Sequence, residues 1–258
     1  YILTLMSYKR FKYFYISKKR KIRFLSIKSP SNLCVIFLHG FMSDIEGEKP
    51  KALYSFAKKN KLAFLRFEYS GHGKSSGKFT DGSISRWSED AKEIIKSKIK
   101  NKQKIIFIGS SMGAWIALNI SKFFKKELVA FLGIASAPEF TEKIMWKSFT
   151  KKLKKQIKEN KIVEIKNDYG STYPITKKLI FDGRKNKVFS KIKLSIPAIL
   201  FHGSKDKVVP ISFSYKTLRI FKNKGKVIKI KNGDHSLSKK NNLKLIKKEL
   251  KNLINKIS

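Results

Sequence analysis

Unbroken apolar runs and helical stripes alternate along the chain. Lys21–Ile27 (KIRFLSI), Leu33–Leu38 (LCVIFL), Leu62–Phe67 (LAFLRF), Lys104–Ile108 (KIIFI) and Leu128–Ile134 (LVAFLGI) read as strands, as do the shorter Ala198–Phe201 and Val227–Ile230. These runs are continuous rather than alternating, the pattern of strands covered on both faces. Stretches with a helical period separate them. A helix is predicted from Pro50, with proline near its first turn. A second spans Ser85–Lys100, where Trp87, Ala91, Ile94, Ile95 and Ile99 share one side. Met112–Phe124 and a final helix carrying Leu243, Ile246, Leu250, Leu253 and Ile254 complete the series.

Strands alternating with helices of this length imply right-handed crossovers and an α/β fold with a mostly parallel central sheet and helices on both faces. The first two strands, joined by the short KSPSN turn, are expected to pair antiparallel. The rhythm breaks between Pro138 and Ile196. There the chain shows one long mixed helix with Ile144, Trp146, Phe149, Leu153 and Ile157 on its apolar side. An IVEI segment, the polar stretch KNDYGSTYP and a short helix near Ile175–Asp182 follow. We read 1–258 as a single domain and 138–196 as a cap inserted over the sheet. The apolar side of its long helix either lines a pocket or covers the sheet; an amphipathic stripe serves both.

Composition adds limits. No apolar run reaches the roughly 20 residues of a membrane helix, and the first residues lack an apolar region followed by a small-residue cleavage site, so no signal peptide is expected. Met6 is a candidate true start. Cys34 is the one cysteine, so no internal disulfide forms; a buried, inert thiol in a reducing, cytoplasmic setting is the expectation. Lys and Arg number 59 against 18 Asp and Glu, a formal net charge of +41. Such an excess usually points to nucleic acid or an anionic surface. Here it is nearly all lysine, spread chain-wide, without an arginine–aromatic cluster, and we expect no specific nucleic-acid role.

The chemistry concentrates at IIFIGSSMGAWIAL, Ile105–Leu118. Strand, Gly-x-Ser-x-Gly, helix is a nucleophile elbow whose middle residue is Ser111. The turn strains the serine backbone, and Gly109 and Gly113 stand where side chains would collide with neighbours. A serine hydroxyl needs a base, and the base an acid. Asp206 follows the strand Ala198–Phe201, and His235 follows Val227–Ile230. Both lie just beyond carboxyl ends of strands, in the order Ser, Asp, His. Asp234 is a rival acid, although an adjacent side chain usually points away from its neighbour's ring. His202 reads as structural. Upstream, FLHGF ends a strand and offers the backbone N–H of Phe41 as one oxyanion donor, with the N–H of Met112 as the other. His39 is expected to buttress that loop. The glycines of FEYSGHGKSSG, Phe67–Gly77, match neither dinucleotide nor Walker spacing, so that segment reads as a loop with a structural His72. No pair of histidines has metal-ligand spacing, and no cofactor or metal is expected.

LHGF, RFEYSGHGKSSG, GSSMGAW, HGSKDKVVP and GDHS, in this order, resemble the α/β-hydrolase superfamily from about Leu33 to the end. More narrowly, FMSDIEGEKPKAL, RFEYSGHGKSSG, ISRWSEDA and IGSSMGAW are similar to the acyl-protein thioesterase and acyl-glucuronide esterase group of mitochondria and bacteria. The resemblance implies an α/β-hydrolase fold with Ser111, Asp206 and His235 as triad. It also implies acyl ester or thioester substrates and no cofactor. Peptidase or C–C hydrolase chemistry, or an inactive binding module, stay open as alternatives. Dehalogenase and epoxide hydrolase chemistry fit poorly with serine at the elbow.

Overall fold

The computed structural model describes residues 11–166, 172–222 and 224–257. Met6 and most of the polar stretch KNDYGSTYP lie outside them. Eight strands form one sheet: β1 (Lys12–Ser17), β2 (Arg20–Ile27), β3 (Leu33–Leu38), β4 (Ala63–Phe67), β5 (Lys104–Ser110), β6 (Leu128–Ile134), β9 (Ala198–Gly203) and β10 (Gly225–Ile230). Their spatial order is β1-β2-β4-β3-β5-β6-β9-β10. From β4 onward every pairing is parallel.

The expected antiparallel pairing of the first two predicted strands does not occur. β4 lies between β2 and β3, and β2 pairs antiparallel with β4 on one side and β1 on the other. The KSPSN turn is therefore a crossing connection rather than a hairpin. β1 carries no unbroken apolar run because it is the edge strand, with Tyr13 and Tyr15 exposed.

Two cores sandwich the sheet, and side chains of each strand alternate between them. In β3, Cys34, Ile36 and Leu38 face one core and Val35 and Phe37 the other. Helices α1 (Glu48–Lys59) and α7 (Lys240–Ile257) cover the second face through Leu53, Ala57, Leu243, Ile246 and Leu250. Helices α2 (Ile84–Lys98) and α3 (Met112–Ile120) cover the first. The predicted stripe of α2 is the buried one, including Trp87, Ala91, Ile94 and Ile95, and Ser83 caps it by accepting from the Arg86 N–H at 3.3 Å. α3 stops at Ile120 and tightens into a 3₁₀ turn over Ser121–Phe123.

Between β6 and β9 the single long helix expected is broken. A π-helical segment, Thr141–Trp146, gives way to α4 (Lys151–Lys158), because the Thr150 hydroxyl accepts from the Leu153 N–H and starts a new helix. A two-stranded antiparallel ribbon, β7 (Val163–Lys166) and β8 (Thr172–Ile175), precedes α5 (Lys177–Lys185). Phe149 and Ile157 are buried in the first-face core, with Leu153 packed against it. A last short helix, α6 (Ser212–Ile220), links β9 to β10.

Candidate active site

The turn from β5 into α3 holds Ser111 at φ 52° and ψ −117°, a region L-residues rarely occupy. Surrounding bonds over-determine it: the Ser111 N–H donates to the Ile134 carbonyl at 2.8 Å, and the Ser111 carbonyl accepts from Ala114 and Ala137. Neighbouring backbone leaves no space for side chains at the flanking glycines. A Cβ on Gly109 would lie 2.4 Å from Ala114 Cα, and one on Gly113 would lie 2.0 Å from the Leu38 carbonyl oxygen.

Asp206 and His235 arrive from the ends of β9 and β10. His235 Nε2 is 3.1 Å from Ser111 Oγ, and His235 Nδ1 is 2.8 Å from Asp206 Oδ2. The carboxylate requires Nδ1 to carry the proton, which leaves Nε2 free to accept from the serine hydroxyl. Asp206 is 1% exposed at its side chain, and its Oδ1 accepts from the N–H groups of Val208 and Val209 at 2.9 Å each. Burial works to raise the Asp206 pKa, but the hydrogen bond to His235, its charge and the two N–H groups outweigh it and hold the carboxyl below its ordinary range.

The other candidates sort themselves by geometry. Asp234 turns away from the ring and accepts from the Ser236 hydroxyl and the Leu237 N–H, stapling the turn that carries His235. His202 sits beneath the acid: its Nε2 lies 2.9 Å from the Val209 carbonyl and 3.3 Å from Asp206 Oδ2, and Nδ1 lies 2.9 Å from Ser214 Oγ. Burial holds its pKa down. His39 is buried, donates from Nδ1 to the Gly40 carbonyl at 2.8 Å and stacks on Tyr69 with ring centroids 4.4 Å apart. Burial pushes its pKa to about 4. The segment it supports runs beside the nucleophile, since a Cβ on Gly40 would lie 3.4 Å from Ser111 Cβ. Among the described residues, the N–H groups of Phe41 and Met112 donate to no backbone or side-chain acceptor.

The glycine loop after β4 is no phosphate cradle. Glu68 fills it, accepting from the N–H groups of Lys74 and Ser75 and pairing with Arg23; a Cβ on Gly73 would strike its carboxylate at 2.2 Å. His72 is buried there against Trp87 and Phe79.

Two cavities meet at Ser111 and His235. One, of about 380 Å³, is apolar, walled by Phe41, Phe140, Ile144, Met145, Tyr173 and Val209; Lys166 is the charged side chain at its edge. Phe41 is its corner, edge-on to Phe79, Phe140 and Tyr173. The other, of about 280 Å³, is bordered by more polar side chains, among them Ser43, Asp44, Lys49, Ser236 and Ser238. Sequence reasoning passed over Lys49. Its signal was a cation in the first turn of a helix, where the macrodipole disfavours it, but one lysine among so many carries little information.

A family model for Hydrolase_4, described as serine aminopeptidase, S33, matches residues 29–180. The chain belongs to that family. It is 30% identical over 235 residues to the palmitoyl-protein thioesterase ABHD10, mitochondrial, of Pongo abelii, a match spanning 90% of this chain and 75% of that protein. The human protein of the same name is 29% identical over 235 residues, with the same coverage. Among solved structures, a protein from Agrobacterium vitis S4 aligns with a TM-score of 0.87 at 27% identity, covering 95% of this chain and 98% of that one. Mouse alpha/beta hydrolase domain-containing protein 10 aligns at 0.84 with 24% identity, covering 96% and 100%. The chain is an α/β-hydrolase enzyme of the serine hydrolase type, with similarity to thioesterases. Among the described residues no helix is long and apolar enough to cross a membrane.

Proposed function

We propose that this enzyme hydrolyses carboxylic esters and thioesters of apolar acyl groups through a Ser111–His235–Asp206 triad. The observation that carries the reading is the unbroken hydrogen-bond chain from Ser111 Oγ through both ring nitrogens of His235 to Asp206. The acyl chain enters the apolar cavity and its carbonyl carbon meets Ser111 Oγ. The Oγ–C bond forms as the hydroxyl proton moves to His235 Nε2, and Asp206 stabilises the imidazolium. The N–H groups of Phe41 and Met112 hold the oxyanion, each worth about 3 kcal/mol. The C–O or C–S bond then breaks and the leaving alcohol or thiol takes the proton from His235. Water repeats the sequence on the acyl-enzyme and releases the acid.

Residues 138–196 act as a cap within the single domain 1–258. Phe140, Ile144, Met145 and Tyr173, all from this segment, supply much of the acyl wall, which supports that role. The cytoplasm, as a reducing compartment, is our reading of where the enzyme works. Supporting it, Cys34 is a lone buried thiol whose pKa burial raises to about 12. The Pongo abelii and human relatives are named as mitochondrial.

The family description favours a second reading, an aminopeptidase. Such an enzyme holds a substrate ammonium near the scissile bond, which calls for a carboxylate; the apolar cavity has none among its described lining residues and Lys166 at its edge, whereas Asp44 and Glu48 border the second cavity. A panel of p-nitrophenyl esters and acyl thioesters of graded length, run beside aminoacyl anilides, tests the choice. Esters and thioesters are the expected substrates, with fluorophosphonate labelling confined to one serine. Ser111→Ala is expected to lose at least about 10³-fold in kcat and all labelling while folding normally. Turnover of the anilides alone, or near-full activity in Ser111→Ala, overturns the reading.

A further inference from the structure

The loop bearing His235 is held from two sides. On the acid side, the Asn232 N–H donates to Ser204 Oγ at 2.8 Å and the Lys205 N–H to the Gly233 carbonyl at 2.8 Å. On the opposite side Lys49, in the first turn of α1, donates from Nζ to the carbonyl oxygen of Ser236, the residue directly after His235, and lies 3.3 Å from Ser238 Oγ. These bonds join residues 187 and 189 positions apart. Lys49 stands eight residues beyond Phe41 on the same connection, so the strut ties the base-bearing loop to the segment beside the nucleophile.

This arrangement works against local preference. The first turn of a helix favours anions, and burial lowers the Lys49 pKa to about 8, with the Asp234 carboxylate opposing that shift. A half-buried cation retained there has a specific partner, and the Ser236 carbonyl is one that fixes backbone next to a ring whose placement matters to a fraction of an ångström. Among the described residues, the His235 ring is hydrogen-bonded to Asp206 and Ser111 alone.

We propose that Lys49 is a positioning residue that holds the His235 loop in register with Ser111 and the Phe41 segment. The inference rests on the triad reading above. Removing the strut leaves every reacting group present and lets the imidazole drift, a displacement that costs up to about 100-fold when it reaches 1 Å. In Lys49→Met, kcat per fluorophosphonate-labelled site is expected to fall about 10- to 100-fold, with KM for a short acyl ester unchanged. Lys49→Arg, which keeps the charge and donors, recovers most of the loss. Ser238→Ala, a milder change, gives a smaller drop in kcat alone. Lys51→Met, at an exposed lysine paired with Glu48 one turn before it, leaves all parameters as they were.

Wild-type kcat in Lys49→Met overturns the inference. So does a loss that Arg fails to recover and that tracks the unfolded fraction, as does wild-type kcat in Ser238→Ala should Lys49→Met not fold. An active Ser111→Ala would instead remove the triad reading beneath it, so the two failures are told apart.

Discussion

At the residue scale the site depends on absent atoms as much as present ones. Ser111 can hold its φ of 52° because Gly113 lets α3 start against the end of β3. A methyl group at Gly113 would lie 2.0 Å from the Leu38 carbonyl oxygen and 2.6 Å from that of His39. Both are backbone atoms in a strand end and its following loop, with no freedom to retreat. Gly113→Ala is therefore expected to cost on the order of 3 kcal/mol, the upper range of overpacking, and to lower the melting temperature by roughly 6–12 °C. Gly40→Ala meets only ordinary 3.4 Å contacts with Ser110 and Ser111 and is expected to stay under about 1.5 kcal/mol. Thermal unfolding of the two variants decides; equal losses would mean the strand end yields.

At the scale of elements, the loop after β3 rests on neutral histidines. His39 is buried with its pKa at about 4 against an ordinary 6.5, and His72 beside it is held well below the ordinary value by burial and by His39. Because the fold prefers the uncharged ring, the unfolded chain binds more protons between those values. Stability from His39 is full above about pH 6.5 and is lost as pH falls toward 4, by about 3 kcal/mol. The Asp206 carboxyl, also depressed in the fold, contributes in the same sense, its share being lost as pH falls through its own lower range. Denaturant melts between pH 7.5 and 4.5 are expected to show this slope, and His39→Gln, which does not titrate, to flatten it; an unchanged slope would show that the ring is not the group being protonated. These elements also show what was legible in the chain. β3, β6 and the interior of β5 are continuously apolar because both faces are covered, and α2 announces its buried stripe through Trp87, Ala91 and Ile94. β1 stayed hidden because an edge strand keeps Tyr13 and Tyr15 in water, and α6 because it is short and opens on serines. The β2–β4 pairing and the break at Thr150 depend on partners distant in sequence or on one hydroxyl. Ser111 is named by spacing within five residues, whereas Asp206 and His235 emerge only through chain order. The local sign of Lys49, a cation in the first turn of a helix, names no partner, because that partner lies 187 residues away.

For the whole molecule the dominant fact is the charge of +41. Lysines cover the surface rather than one groove: Lys92, Lys96 and Lys122 crowd the exposed Phe123 from α2 and from the turn after α3, and Lys98 lies over both Phe14 and Phe24 beside the edge strand. A field so spread draws every anion toward the surface. Its reach is set by salt, about 30 Å at 0.01 M and about 10 Å at 0.1 M. An anionic substrate such as an acyl-coenzyme A thioester is therefore gathered at low salt, and a neutral p-nitrophenyl ester of the same acyl group is not. Steered capture contributes between about 10- and 10³-fold, so kcat/KM for the thioester is expected to fall about tenfold or more from 0.01 to 0.3 M sodium chloride. The ester should change less than about twofold, because in the proposed mechanism its chemistry passes through the same Ser111 and the same apolar cavity. The paired substrates separate capture from catalysis: a parallel fall in both would locate the salt effect in the site itself, and no fall in either would show that the lysine coat plays no part in how this enzyme meets its substrate.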